Sequence, residues 1–185
     1  MSTVSLWSIQ EGNKLLEVKE NETEIHCKTT DVQTIKACRP IPKEGKFHFE
    51  ATILDSGENP QDLTIGVGVC EKSYPVNSFP GWYPISFGYH SDDGGIFCGS
   101  GKSTYQTNKP FKIGDIIGIL LDYETASLTF SKNKEEVQKI QLTSQHMIKN
   151  LHPCIGFNCS KGTTVQLDFP YTGSSELLTI CIATL

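Results

Sequence analysis

The chain has 185 residues and a net charge of −5, from 16 Lys and Arg against 21 Asp and Glu, which is enough length for one domain with a core. No cluster of Lys and Arg occurs, so nucleic acid is not an expected partner. The chain also lacks an apolar run of about 18 residues and a secretory signal, so we expect no membrane contact and a cytoplasmic protein, with the nucleus as a second compartment.

Apolar and polar residues alternate along most of the chain, which predicts short β-strands. In chain order, the predicted strands lie near residues 15–18, 24–27, 34–37, 47–53, 63–69, 87–89, 96–97, 116–121, 128–130, 151–157 and 165–169. Helix is scarce, with about one turn allowed at 135–136 or at 144–148. Because most connections are short and no repeat is evident, the pattern predicts an all-β, antiparallel sandwich of two packed sheets.

Glycines and aromatic residues indicate two features outside the predicted strands, a close approach to one strand and an aromatic loop. Gly66 and Gly68 alternate with apolar residues, and glycine lets another segment approach a strand closely. Residues 73–84 combine three prolines with four aromatic residues, so they cannot form an interior strand. We expect loop aromatics to be exposed anchors for a partner, although covering one end of the core is an equally weighted alternative for Trp82. The candidates are Tyr74, Phe79, Trp82, Tyr83, Phe97 and Tyr105.

The sequence predicts no catalytic, metal or cofactor site. His152, Cys154 and Cys159 lack the two short-spaced pairs of a structural zinc site, so buried thiols and a surface histidine are the preferred interpretation. Cys98 is expected to be a small, buried strand residue. The two aspartates at 92–93 are expected to fix a turn rather than act in catalysis. The seven cysteines are expected to be reduced.

Several segments resemble, in order, the SPRY domain family, and most closely its Ran-binding-protein-M type. They include Phe-His-Phe-Glu at 47–50, a glycine-alternating strand at 64–69 and Phe-Gly-Tyr-His-Ser-Asp-Asp-Gly at 87–94. Further matches lie at 39–42, 80–82, 97–98, 114–118, 130–133 and 151–156. The resemblance covers residues 35–170 and implies a bent β-sandwich that binds a protein or peptide, without enzyme activity or a cofactor.

The resemblance also implies where a partner binds, namely on loops at one rim of the sandwich that take a short peptide segment or a partner surface. Phe97 matches the aromatic residue that packs on the ligand in family members. The remaining expected partner-binding residues are Trp82 and Tyr83 nearby, Thr29 and Asp31 in an early loop, and Asn158, Ser160 and Lys161 in a late loop. We expect the domain to be a monomer and a substrate-selecting adaptor of a larger complex, such as a ubiquitin ligase.

Two other functions are left open. A small-ligand-binding protein or an enzyme that uses the same loops would need a deep pocket with convergent polar groups. A lectin-like, glycan-binding sandwich would need paired Asp and Asn ligands for calcium, or stacked aromatic residues.

The expected organisation has three parts. Residues 1–34 are N-terminal strands that pack on the domain, residues 35–170 are the SPRY domain, and residues 171–185 are a C-terminal extension or a closing strand. Because the chain ends at Leu185, it is either a stand-alone domain or a fragment. Lys134 replaces the glycine that the family has after Asn133, and a left-handed lysine costs roughly 1 kcal/mol, so we expect a longer turn there.

Overall fold

The computed structural model describes residues 16–19, 23–158 and 161–169, together with the backbone of residues 7–8. In chain order, the elements are β1 (Trp7–Ser8), β2 (Leu16–Val18), β3 (Glu24–Cys27), β4 (Gln33–Ala37), β5 (Lys46–Ser56), a 3-10 turn (Pro60–Asp62), β6 (Ile65–Glu71), β7 (Ser86–His90), β8 (Gly95–Phe97), β9 (Ser103–Gln106), β10 (Ile116–Asp122), β11 (Ser127–Lys132), β12 (Glu135–Gln141), α1 (Ser144–Met147), β13 (Leu151–Phe157) and β14 (Thr163–Asp168).

The strands form two seven-stranded sheets, as the alternating pattern predicts. Sheet I has the order β1-β4-β13-β6-β7-β8-β9, and sheet II has the order β12-β11-β10-β5-β14-β3-β2. Neighbouring strands are antiparallel in both sheets. The predicted all-β antiparallel sandwich is confirmed.

The core lies between the two sheets and comes from one parity of each strand. Val67 and Val69 of β6 face it from sheet I, whereas Phe49 and Ile53 of β5 face it from sheet II, and all four are fully buried. Full burial of a side chain of this size stabilises the fold by about 1.5–3 kcal/mol. These residues form strands because period-2 alternation places them all on one face of a pleated chain.

The outer face of sheet I is covered by the loop between β6 and β7, residues 72–85, which we call the strap. Near one end of that face, a β-carbon on Gly66 or Gly156 would meet Phe79 and Pro80, and one on Gly88 would meet the backbone of Pro80. The glycines therefore let the strap approach the sheet closely, as the sequence predicted for Gly66.

The turn between β11 and β12 is short, so the predicted longer turn is wrong. Lys132 pairs with Glu135, which leaves only Asn133 and Lys134 between the strands, at φ values of 51° and 71°. The Asn133 side chain holds this turn by accepting a hydrogen bond from the Ile116 N–H (2.9 Å) and donating one to Asp115 (2.8 Å). A two-residue hairpin loop with positive φ at both positions is strained at Lys134, which is not a glycine. The hydrogen bonds of Asn133 offset this strain.

Three further details distinguish the observed elements from the predicted ones. The helical turn lies at Ser144–Met147, one of the two predicted places, whereas residues 135–136 begin β12. His152 is not a surface residue but is buried, with its Nδ1 atom 2.8 Å from the Ala37 carbonyl oxygen. Cys98 is half-buried and follows β8 instead of lying within a strand. Cys154 is fully buried, as expected.

The N-terminal strands lie in both sheets. β1 pairs with β4 in sheet I, while β2 and β3 extend sheet II beyond β14. Residues 171–185 lie outside the described residues. The domain boundaries at 34–35 and 170–171 therefore stay predictions.

Candidate functional site

The strap is held in place by Tyr74, whose ring is buried against Cys70 and Cys154 on the outer face of sheet I. Its hydroxyl donates a hydrogen bond to the Phe79 carbonyl oxygen (2.6 Å) and accepts one from the Tyr83 N–H (3.3 Å). One side chain thus ties two points of the strap together from below. The prediction that Tyr74 and Phe79 are exposed anchors is wrong, since both are buried.

Four rings from the strap and the sheet contact one another in a continuous row, which we call the stack although only His90 and Phe97 lie nearly parallel. Trp82 contacts Phe79 at a centroid distance of 5.6 Å, and the edge of Phe79 meets His90 at 4.5 Å. His90 then stacks on Phe97 at 3.9 Å with an interplanar angle of 16°. Two of the predicted partner-binding residues, Trp82 and Phe97, are therefore joined through Phe79 and through His90, of which His90 was not among the predicted residues.

His90 is the most enclosed ring of this stack. It is only 3% exposed, and its Nε2 atom lies 2.7 Å from the Pro80 carbonyl oxygen, so the neutral ring carries its proton on Nε2 and donates it there. Burial lowers the pKa of His90 below its ordinary value of 6.5, against opposing effects of the Pro80 bond and of the nearby Asp92 and Asp93. The ring is thus neutral at physiological pH.

The partly exposed end of the stack forms what we call the aromatic patch: Trp82, Tyr83 and Phe97. Tyr83 is 53% exposed, whereas Trp82 and Phe97 are half-buried. Gly81 packs directly against the backbone of Phe97, and its carbonyl oxygen accepts a hydrogen bond from the Gly99 N–H (2.8 Å). The patch therefore combines an accessible aromatic surface with a backbone that is held at Gly81 by the segment Phe97–Gly99.

The early and late loops meet at the end of the sandwich where β3 and β13 finish. The Gly162 N–H donates a hydrogen bond to the Cys27 carbonyl oxygen (2.8 Å), which brings these two loops together. The Thr29 hydroxyl accepts a hydrogen bond from the Asp31 N–H (3.0 Å), and both residues lie in the early loop. In the late loop, the backbones of Asn158 and Lys161 bond to Thr64 and Glu58, and Ser160 lies outside the described residues.

The strap connects these loops to the aromatic patch. Thr34, two residues into β4, donates its N–H to the Val76 carbonyl oxygen (2.7 Å) and its hydroxyl to the Ser78 carbonyl oxygen (2.6 Å). The strap then crosses Gly156 and Gly66 to reach the stack. The predicted residues therefore form two groups, a loop group and an aromatic group, at the two ends of one crossing segment.

His90 and Tyr74 are the residues of the site whose positions the sequence analysis missed. His90 has the same parity as Gly88, so alternation in the strand already places it on the outer face of sheet I. This alternation is the sequence signal that could have placed His90 on the outer face. The burial of His90 was not readable from strand alternation, because it depends on how the preceding loop, the strap, folds back over the sheet.

Polar chemistry near the patch is limited. Burial raises the pKa of the Cys98 thiol, with a smaller opposing effect of a hydrogen bond to Thr104, so Cys98 is not an activated nucleophile. Among the residues that the structure describes, no group of three or more His, Cys, Asp or Glu could hold a metal ion. The aspartate at 93 accepts a hydrogen bond from the Gly95 N–H (2.7 Å), which is the turn-forming contact predicted for it.

A separate polar cleft of about 430 Å³ lies between the loop after β9 and the β11–β12 hairpin. Its Lys132 ammonium donates to the Pro110 carbonyl oxygen (2.7 Å) and lies 3.1 Å from Asp115. Its lining includes none of the predicted partner-binding residues.

Comparison with known proteins identifies the family to which this fold belongs. The model of the SPRY domain family matches residues 46–172. The chain belongs to the SPRY domain family. SPRY domains are protein-interaction modules.

The relatives of this SPRY domain include Ran-binding protein 9 of Danio rerio, which is 29% identical over 170 residues, 88% of this chain and 27% of that protein. SPRY domain-containing protein 3 of Pongo abelii is 31% identical over 169 residues, 89% of this chain and 36% of that protein. The crystal structure of a human SPRY domain has a TM-score of 0.68 at 25% identity, covering 85% of this chain and 97% of that chain. The chain thus spans about a quarter to a third of the length of these curated relatives. No helix in the described part of the chain is long and apolar enough to cross a membrane.

Proposed function

We propose that this SPRY domain captures a short segment of a protein partner on the aromatic patch and the adjoining loops. The observation that carries the proposal is the patch itself, in which Tyr83 is 53% exposed above a fixed backbone and two half-buried rings. Aromatic residues that stay accessible on a rigid frame are the usual anchors of protein interfaces, because little side-chain entropy is lost when they bind.

The strap supports the proposal because it makes the surface preformed. Its backbone is bonded to Thr34 at two points and to the Tyr74 hydroxyl at two others. Ile85, just before β7, has a φ of 58°, which is strained for a β-branched residue and persists only where the surroundings determine it. A preformed surface lowers the cost of ordering on binding, so a short peptide segment suffices as the ligand.

The loop group supplies the polar part of the proposed surface. Asp31, Asn158 and Lys161 are exposed, and the strap runs to the aromatic patch from Thr34, which follows the early loop. In this proposal the domain selects the partner for a larger assembly, with ubiquitin ligation as one such role. The curated relatives are several times longer than this chain, so in those proteins the domain stands beside other segments.

Replacement of Tyr83 by alanine tests the proposal with little risk to the fold, because its side chain is half-exposed. We expect Tyr83→Ala to reduce partner recovery at least about tenfold, as for an interface hot spot. The measurement is affinity purification with quantitative mass spectrometry, followed by titration of the recovered partner. Leu54→Ala is the matched control, since Leu54 is a 42% exposed apolar residue on sheet II, and it should bind like the wild type.

The paired substitution Phe97→Ala with Trp82→Ala is less discriminating, because Phe97 stacks on His90 and its loss also disturbs the fold. Lys161→Ala tests the loop group separately. Equal recovery of the same partners by wild type, Tyr83→Ala and Lys161→Ala would refute this placement of the binding surface.

A further inference from the structure

The aromatic patch depends on a single titratable ring. His90 lies between Phe97, at 3.9 Å, and Phe79, at 4.5 Å, and Phe79 in turn contacts Trp82. It also holds the strap from below through Nε2 and the Pro80 carbonyl oxygen, 2.7 Å away. His90, which lies beneath the aromatic patch, thus both stacks on Phe97 and bonds the strap backbone.

We propose that His90 positions the aromatic patch, and that protonation of its ring at acidic pH releases Phe97 from its stacked contact with His90 and Trp82 from its contact with Phe79. The consequence for partner capture rests on the proposed function, whereas the release itself is a property of the free domain. His90 is a positioning residue, since it reaches the proposed surface through Phe79, Pro80 and Phe97.

The physical reason is the cost of a charge in this enclosure. In the neutral ring, Nε2 donates to Pro80 and Nδ1 carries no proton. Protonation adds a second N–H and a full charge to a side chain that is 3% exposed between two apolar rings. Attraction between the cation and the face of Phe97 returns only about 0.5–2 kcal/mol.

The charged groups near His90 do not remove this cost. Asp92 and Asp93, in the turn that follows β7, favour the protonated ring, but both are exposed to solvent, which weakens their effect. The strap residues packed on His90, Phe79 and Pro80, carry no charge, and Phe97 of β8 carries none. Burial is the largest effect on the pKa of His90 and lowers it, so the neutral ring is favoured in this enclosure.

The pH direction follows from the lowered pKa. Neutral His90 contributes to stability above the unfolded-state value of 6.5, and this contribution is lost as the pH falls from 6.5 toward the folded-state pKa. Release of the patch should therefore have its midpoint below pH 6.5.

Trp82 is a built-in reporter of this release. In a full chain carrying Trp7→Phe, the emission of Trp82 is recorded from pH 8 to pH 5, in parallel with the histidine ring resonances in NMR spectra. We expect a reversible change in Trp82 emission whose midpoint coincides with the titration of His90. The change should disappear in His90→Gln, which keeps a side-chain donor but cannot titrate.

His152→Gln is the matched control. His152 is also buried on the outer face of sheet I and also bonds a backbone carbonyl oxygen, that of Ala37, but it does not contact the patch. Burial lowers its pKa as well, so it titrates in the same direction. The emission change should persist in His152→Gln. Persistence of the change in His90→Gln, or its absence in the wild type while His90 titrates, would overturn the proposal.

The outcome is distinguishable from that of the proposed function. If Tyr83→Ala does not affect partner capture but Trp82 emission changes with the titration of His90, the proposed role of His90 is supported and the binding surface lies elsewhere. If Trp82 emission does not change with the titration of His90 while Tyr83→Ala abolishes partner capture, the proposed binding surface is supported and the proposed role of His90 is wrong.

Discussion

At the scale of single residues, hydroxyl groups decide how firmly the strap is held. The Tyr74 hydroxyl has two backbone partners, the Phe79 carbonyl and the Tyr83 N–H. Tyr123, by contrast, has a buried hydroxyl with no hydrogen-bond partner in the structure. The two tyrosines have the same chemistry and opposite hydrogen-bonding states, so they form a natural comparison.

Removal of the Tyr74 hydroxyl should lower the free energy of unfolding. Tyr74→Phe leaves the Tyr83 N–H without its acceptor and removes one of two donors to the Phe79 carbonyl oxygen, which keeps the Trp82 N–H at 3.0 Å. The expected loss is about 1–3 kcal/mol for the two hydrogen bonds. Tyr123→Phe should be neutral or stabilising, because it removes a buried polar group that has no partner. Urea unfolding of both variants measures this difference, and an equal effect of the two substitutions would contradict the hydrogen-bonding account of the strap.

At the scale of elements, the glycines of sheet I and the strap are one packing unit. Gly66 of β6 and Gly156 of β13 are directly paired across the strands, and Phe79 and Pro80 lie over both. A β-carbon on Gly156 would lie less than 3.0 Å from Pro80, whereas one on Gly66 would lie 3.0 Å from Phe79. The added methyl group of an alanine would therefore clash more severely at Gly156 than at Gly66.

Alanine substitution of these two glycines should destabilise the domain in a fixed order. We expect Gly156→Ala to cost about 1–3 kcal/mol, as overpacking does in well-packed interiors, and Gly66→Ala to cost less. Thermal or urea unfolding gives both values. If the two variants are equally stable, or if the order is reversed, the strap does not lie on this face as described.

At the scale of the whole molecule, the N-terminal strands belong to the same core as the rest. Ile25 and Cys27 of β3 are fully buried, and β3 pairs with β14 in sheet II. The SPRY family match begins at residue 46, well after these strands. We therefore propose that residues 1–34, although outside that match, are needed for a stable domain.

Deletion of residues 1–34 should lower the melting temperature strongly or prevent folding, because it uncovers the side of Val165 that packs in the core next to Ile25 and removes Thr34, which holds the strap. Circular dichroism melting of the fragment 35–185 measures this. Deletion of residues 1–6, which precede β1, is the control and should have a small effect. A fragment 35–185 that melts like the full chain would show that the first strands are dispensable.

Local pattern determined most of the strands and their inward faces, but not β1, β9 and β12, and the ordered motifs carried the resemblance to the family. Alternation in β5 and β6 is a property of neighbouring residues, so it can be read without the fold, and the glycines at 66 and 68 already indicated a close approach to that strand. The same pattern missed the two-residue turn at Asn133, because the side-chain contacts that fix it come from β10 and the segment just before it.

Tertiary structure alone decided which aromatic residues are accessible. Residues 73–84 contain four aromatic residues, which the sequence analysis expected to be exposed anchors, with covering of the core as an alternative for Trp82. Folding of the strap over glycines from three strands buries Tyr74 and Phe79, leaves Tyr83 exposed and encloses His90. Such contacts join residues far apart in the chain, so the segment carries no local signal of them, and the functional surface is fixed only when the sheet beneath it has formed.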